Sequence, residues 1–161
     1  MSGGVRLGPL APVHRDRLEA VVRATNVFAE DEVAVALELF DDAINGGPDY
    51  EFIGAFEGNQ LIGYACFGAT PSTDSTFDLY WIAVHPSAQR SGAGGVLMSE
   101  VERRLQRRRA RLLVVETSSR ADYEPTRRFY RRRGYEIAAC VRDYYGQGDD
   151  RVILTKPLAI V

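Results

Sequence analysis

The stretch FDLYWIAVHPSAQRSGAGGVLMSEVERRLQ, Phe77 to Gln106, decides how this sequence is read. Its aromatic and aliphatic run ends at Val84, and His85-Pro86 makes a turn. Gln89-Arg90-Ser91-Gly92-Ala93-Gly94 then leads into a helical pattern carried by Leu97, Val101 and Leu105. The reading is a strand, a glycine-bearing turn and a helix N-terminus in direct succession. The first N–H groups of a helix have no partner within it, and the helix dipole makes their surroundings favourable for an anion. Glycine at 92 and 94 would let a phosphate approach the backbone closely. The expectation is a seat for a phosphorylated cofactor.

Composition narrows the rest. A chain of 161 residues fits one domain, 1–161, with a real core, and 45% hydrophobic with 26% charged residues is ordinary for a globular protein. The net charge of −2 supplies no basic field for nucleic acid. Cys66 and Cys140 are too few for a disulfide framework or a zinc site, so no metal is expected and a reduced, cytoplasmic setting is. No apolar run approaches the ~20 residues of a membrane span, and no signal-peptide pattern opens the chain. Lys156 is the only lysine among the basic residues.

Outward from the central stretch, patterning gives an edge strand at Val5–Leu7 and a helix from Pro12 to about Thr25, with Val13, Leu18, Val21 and Val22 on one face. A second helix spans Glu30–Ile44, its acidic start suited to a helix N-terminus. Tyr50–Phe56 and Gln60–Phe67 read as antiparallel strands joined through Glu57-Gly58-Asn59. Arg107, Arg108 and Arg109 fall in the last turn of the central helix, and Leu112–Val115 is a nearly continuous apolar run, the pattern of a strand buried on both faces. Asp122–Arg133 is a helix with Pro125 in its first turn, closed by Gly134 in a left-handed conformation. Tyr135–Val141 and Arg151–Thr155 are two last strands, with Asp143–Asp150 as the loop between them. The class is α/β, without repeats or linkers.

Two familiar phosphate motifs are absent. The loop G-x-x-x-x-G-K-[ST] needs a lysine, and Gly92, Gly94 and Gly95 do not match the dinucleotide fingerprint, which also belongs after a first strand. Q-x-x-G-x-G directly after Trp81-Ile82-Ala83-Val84 instead resembles the acyl-CoA-binding motif of the GCN5-related N-acetyltransferase (GNAT) superfamily. Downstream, Leu112–Glu116 resembles the family's next strand, and Phe129-Tyr130-Arg131-Arg132-Arg133-Gly134-Tyr135 resembles its F-Y-x-x-x-G-[FY] segment. The resemblance is sharp over Leu79–Tyr135. It departs at Tyr123, where the family often carries an asparagine that contacts the cofactor.

The resemblance implies a mixed, largely antiparallel central sheet flanked by helices, with splayed fourth and fifth strands. It implies acetyl-CoA as cosubstrate, its pyrophosphate cradled by N–H groups of Gln89, Arg90, Ser91, Gly92, Ala93, Gly94 and Gly95. Backbone groups of Ile82, Ala83 and Val84 would meet the pantetheine arm, and Tyr123 would stand at the asparagine position. It also implies that Tyr130 protonates the departing thiolate, although a tyrosine packed beside Phe129 is the plain alternative.

Acetyl transfer to an amine must also remove a proton from the acceptor. Strand alternation puts Asp78, Tyr80, Ile82 and Val84 on one face. Asp78 stands where it resembles the catalytic carboxylate of the histone-modifying branch, or else is a solvated strand-end carboxylate. Glu116, at the end of an apolar strand, is the rival base if burial raises its pKa, or else a structural carboxylate bonded to Thr117 or Ser118. Water without a dedicated base is the third reading. His85 shapes its turn, His14 sits on an exposed helix face, and both cysteines are small core residues. The run Arg127, Arg128 and Arg131–Arg133 is a solvated helix face or, with Arg90, a collar for a 3′-phosphate.

The acceptor, small molecule or protein, is unidentified. Glu30, Asp31 and Glu32, with Asp143, Asp149 and Asp150, would favour a cationic amine, or else serve capping and solubility. Tyr144 and Tyr145 could add an aromatic wall. The expected activity is that of an N-acetyltransferase, with a homodimer left open. The competing readings are a non-catalytic acyl-CoA sensor or regulatory module, and a plain phosphate-binding α/β protein.

Overall fold

The computed structural model describes residues 4–158. Its seven strands are β1 (Arg6–Gly8), β2 (Glu51–Glu57), β3 (Gln60–Ala69), β4 (Thr76–Val84), β5 (Leu112–Ser118), β6 (Glu136–Gly146) and β7 (Asp149–Pro157). Four helices accompany them: α1 (Arg15–Ala24), α2 (Glu30–Ile44), α3 (Ala93–Arg107) and α4 (Glu124–Arg132). The strand order is β1-β2-β3-β4-β5-β7-β6. β4 and β5 run parallel, and every other described pair is antiparallel. This is the mixed α/β fold expected. By contacts the chain forms two compact units, residues through Ala69 with Tyr80–Arg104, and Thr70–Leu79 with the chain from Leu105 onward.

In the first unit, helical spacing brings Leu18, Val21 and Val22 of α1 together with Val33, Ala36 and Phe40 of α2. They pack on Phe56, Leu61, Tyr64, Cys66 and Ala83 of the strands. Two arginines on α1 fix its position: Arg15 forks onto Asp41 at 2.8 and 2.9 Å, and Arg17 Nε donates to the Leu61 carbonyl at 2.8 Å. β2 and β3 form the expected hairpin, closing at Glu57↔Gln60 with Gly58 at a φ of +58°. Val13 does not join the core. It lies in a short 3-10 turn (Pro12–His14) ahead of α1, 82% exposed, because the tighter turn breaks the helical phase. His14 is not exposed as expected either: its ring lies 5.3 Å from Phe56 and its Nδ1 accepts the Ala11 N–H.

In the second unit, β5 is bordered by β4 on one side and β7 on the other. Its β4 ladder covers only Thr76↔Leu112 to Leu79↔Val115, while its β7 ladder continues to Ser118↔Arg151. The parallel pairing of the fourth and fifth strands therefore lapses after Val115. β5 is apolar on both faces over Leu112–Val115 but fully buried on one: Leu113 and Val115 are buried, while Leu112 and Val114 are half-buried. α3 ends at Arg107, earlier than expected, and Arg109 turns the chain at a φ of +59°. Gly134 adopts the predicted left-handed conformation, φ +90°, and Tyr135 N–H returns to the Tyr130 carbonyl at 3.1 Å.

The last two strands are longer than the sequence reading had them. Asp143–Asp150 is no open loop: β6 runs to Gly146, β7 begins at Asp149, and Gly148 turns between them at a φ of +79°. Asp143 sits at a φ of +56° where the ladder shifts register, accepting the Gly148 N–H while its own N–H goes to Asp150. Cys140 belongs to this exposed strand and not to a core, whereas Cys66 is fully buried. Among the described residues no helix is long and apolar enough to cross a membrane.

Candidate functional site

The turn after β4 is built by its own polar groups. His85 Nδ1 accepts the Ser87 N–H, opening a 3-10 helix over Pro86–Ser91. Gly92 then takes a φ of +82°, with open space where a Cβ would stand. Ser91 Oγ donates to the Ala88 carbonyl and accepts the Ala93 N–H at 3.2 Å. The first helical bond of α3 is Val96 N–H to the Gly92 carbonyl at 3.1 Å. The N–H groups of Gly94 and Gly95 are thus left without an acceptor in the described chain, as the first turn of a helix dictates. Gln89, Arg90, Ser91 and Gly92 are exposed around them, and Ala93 is buried. This is an anion-receptive N-terminus.

Ile82, Ala83 and Val84 approach this turn along β4. His85 N–H is held by the Ile62 carbonyl of β3 at 2.7 Å. Gly63 allows that close approach, since a Cβ there would meet the Ala83 carbonyl at 2.8 Å. Beside them, the Trp81 ring lies 4.8 Å from Phe28, and its indole N–H is buried without a partner among the described residues. Tyr80 packs edge-on to Tyr50 at 5.2 Å.

The catalytic candidates lie in the second unit. Asp78 is directly opposite Val114, and Glu116 is two residues further along β5, so both carboxylates stand on one face of the sheet. Asp78 Oδ2 accepts the Thr70 hydroxyl at 2.7 Å. Glu116 bonds neither Thr117 nor Ser118 but the guanidinium of Arg151, a diagonal neighbour on β7. Its side chain is 37% exposed rather than buried. Arg151 also lies over the Tyr144 ring at 4.8 Å. Glu116 holds the Arg151 guanidinium more firmly protonated, and burial with the nearby Glu116 charge raises the Tyr145 phenol.

Tyr130 is buried on α4, its ring 5.5 Å from Phe129 and 5.7 Å from Tyr135. Lys156 stands opposite Leu113, on the face away from Asp78 and Glu116, and reaches over the Tyr135 ring at 5.5 Å. Tyr130 therefore approaches the sheet from that second face. Its hydroxyl makes no hydrogen bond to the described residues, and burial pushes its phenol well above the ordinary range. The structure thus brings Asp78 and Glu116 to one face and Tyr130 to the other.

Tyr123 closes a 3-10 turn before α4, with the Arg120 guanidinium 5.1 Å above its ring. Arg127, read as part of a solvated basic face, is a tether: it donates to the Ser118 and Arg120 carbonyls at 2.7 and 2.8 Å. Arg133 lies on Phe129 at 4.7 Å. The acidic residues expected to draw a cation are mostly occupied. Glu30 pairs with Arg23, and Glu32 accepts the Ala29 N–H. Asp149 bonds Ser118, and Asp150 accepts the Asp143 N–H. Arg151 was missed by sequence reading, because only the register of β7 on β5 brings it to Glu116.

Three comparisons agree with this geometry. The Acetyltransferase (GNAT) family model matches residues 17–135. A crystal structure from Desulfovibrio desulfuricans, assigned to the GNAT family, shares 40% identity at a TM-score of 0.90, covering 97% of this chain and 99% of that one. YsnE of Bacillus subtilis (strain 168), an uncharacterized N-acetyltransferase, is 29% identical over 113 residues, 70% of this chain and 72% of that protein. The fold is shared with the PaiA N-acetyltransferase of Thermoplasma acidophilum, solved in complex with coenzyme A. That match has 16% identity and a TM-score of 0.74 over 96% of this chain and 99% of that one. With a match reaching from α1 to the segment that carries Tyr130, the chain belongs to the GNAT family of acetyltransferases.

Proposed function

We propose that this protein is an N-acetyltransferase that moves the acetyl group of acetyl-CoA directly onto a primary amine. The observation that carries this reading is the division of ionisable groups between the two faces of the sheet at β5. In direct transfer the amine attacks the thioester carbon from one side while the sulfur departs from another. A base and an acid are therefore needed on different sides of that carbon. Asp78 and Glu116 stand on one face and Tyr130 on the other.

In this reading Asp78, held by Thr70, accepts the amine proton, with Glu116 as the alternative acceptor. Glu116 is the weaker of the two because Arg151 already occupies it. Tyr130, kept as a neutral phenol by burial, gives its proton to the leaving thiolate. The free N–H groups of Gly94 and Gly95, with Gln89, Arg90, Ser91, Gly92 and Ala93, seat the pyrophosphate. Backbone groups of Ile82, Ala83 and Val84 meet the pantetheine amides, and Tyr123 borders the cofactor. Holding both reactants in place supplies much of the rate. Tyr144 and Tyr145 line the acceptor side, next to Glu116 and Arg151.

The test is thiol release from acetyl-CoA against a panel of small amines, peptides with free N-termini and lysine peptides. Release above hydrolysis with one class of acceptor is expected. Tight acetyl-CoA binding with no release on any amine would overturn the reading in favour of a sensor.

A further inference from the structure

Three hydroxyls stand in a row where β5 ends, on Thr117, Ser118 and Ser119. Two of them are tied down. Ser118 Oγ donates to Asp149 and accepts the Arg120 N–H, and Ser119 Oγ accepts the Asp150 N–H at 2.7 Å. Thr117 differs: the residue is 5% exposed, and its Oγ1 is buried with no hydrogen-bond partner among the described residues. A buried hydroxyl without a partner costs stability, and such a group in a folded protein calls for a reason.

Thr117 lies on the Tyr130 face of the sheet. It stands opposite Val152, in line with Leu113 opposite Lys156, and two residues past Val115, where the ladder with β4 stops. α4 runs back along β5 over this face. Arg127, near its start, holds the Ser118 carbonyl, and Tyr135, just past its end, lies under Lys156. Tyr130 shares a helix face with Arg127 one turn later, which sets it over the middle of β5. Helical side chains lean toward the helix N-terminus, here the Ser118 end, so the phenol is directed toward Thr117. Neither hydroxyl has another partner among the described residues.

Resting on the acetyl-transfer reading above, we propose that Thr117 is a positioning residue for Tyr130, its hydroxyl donating to the phenolate oxygen as the proton passes to sulfur. In that step the carbon–sulfur bond breaks, its electron pair stays on sulfur, and the Tyr130 proton neutralises the thiolate. A phenolate is left in a place where burial disfavours it. A hydrogen bond donated to the charged oxygen offsets that penalty, and bonds to charged groups are the strong ones. Thr117 keeps its own proton throughout, and solvent returns one to the phenol after the thiol leaves.

The experiment is steady-state kinetics on Thr117→Val, Thr117→Ser, Tyr130→Phe and the Thr117→Val/Tyr130→Phe double variant, with acetyl-CoA affinity measured by calorimetry. Valine keeps the shape and removes only an unpartnered hydroxyl, so the melting temperature should hold. Thr117→Val should lower kcat about tenfold at unchanged acetyl-CoA affinity, and Thr117→Ser should restore most of it. The double variant should be no slower than Tyr130→Phe alone, because Thr117 acts through the phenol. A Thr117→Val enzyme with wild-type kcat overturns the proposal. So do losses that multiply in the double variant, a serine variant as slow as the valine one, or a fall in acetyl-CoA affinity, which would make Thr117 a cofactor contact. Each of these leaves the acetyl-transfer reading standing where Tyr130→Phe is slow. A wild type that releases no thiol with any amine overturns that reading, and this inference with it; a Tyr130→Phe enzyme at full rate overturns the role of Tyr130 and this inference alone.

Discussion

The Thr70 hydroxyl donates to Asp78 Oδ2 at 2.7 Å, and Asp78 stands on the sheet face that also carries Glu116. Thr70 precedes β4 in the loop that closes through its own N–H on the Thr76 carbonyl at 2.9 Å, so the donor is fixed by backbone. Asp78→Asn is expected to lower kcat about 10²-fold, the scale of a general base. Thr70→Ala should lower it less, by releasing the carboxylate. Acetyl-CoA affinity should stay level in both. Glu116→Gln is the companion variant. Wild-type kcat in both carboxylate variants would leave water as the proton acceptor.

Tyr130 supplies a test with two readouts. Its hydroxyl has no partner in the described chain, so Tyr130→Phe should leave thermal stability unchanged or slightly raised while kcat falls about 10²-fold. A tyrosine that only packs would leave kcat unchanged. The pH dependence follows from the raised phenol: its folded pKa lies above its unfolded one, so its contribution to stability is complete below about pH 10 and is lost as pH rises further. Melting temperature against pH should therefore fall on the alkaline side, and less steeply in Tyr130→Phe.

Gly92 and Gly134 share a left-handed backbone, at φ +82° and +90°, in different settings. An added Cβ meets nothing at 92, and only the Lys156 side chain, at 3.6 Å, at 134. Gly→Ala at either position should cost roughly 1–2 kcal/mol, the strain of that conformation alone. Only Gly92→Ala should also weaken acetyl-CoA binding, by about tenfold or more in titration calorimetry, since Gly92 orients the N–H groups of the α3 terminus. Equal binding in the two variants would remove the turn from the cofactor site.

The two thiols should differ sharply. Burial raises the Cys66 thiol, and its sulfur is out of reach; Cys140 is exposed, with Sγ 3.8 Å from Asp150 Oδ2. A disulfide reagent should titrate one thiol in the folded protein and two after unfolding.

Local chemistry was legible in the sequence wherever one segment determines its own conformation. α2 has the boundaries its periodicity and acidic start predict, the β2–β3 hairpin turns within the polar Glu57-Gly58-Asn59 connection, and Gly134 turns left-handed. What failed depends on register between distant segments. Glu116 meets Arg151 only because Ile153 lies opposite it, a pairing across 35 positions that no local pattern encodes. Cys140 resembles a core residue by type, yet belongs to a strand with a neighbour on one side only. The acidic residues of the last hairpin looked like bait for a cation because their backbone acceptances are invisible until the turn is built.

Trp81 is the chain's single tryptophan, set against Phe28 in the strand that leads to the Gly92 turn. The molecule therefore carries its own optical reporter. Its emission comes from one indole, next to Ile82. Occupancy of that neighbourhood can be followed by fluorescence, without a label and before any acceptor amine has been found.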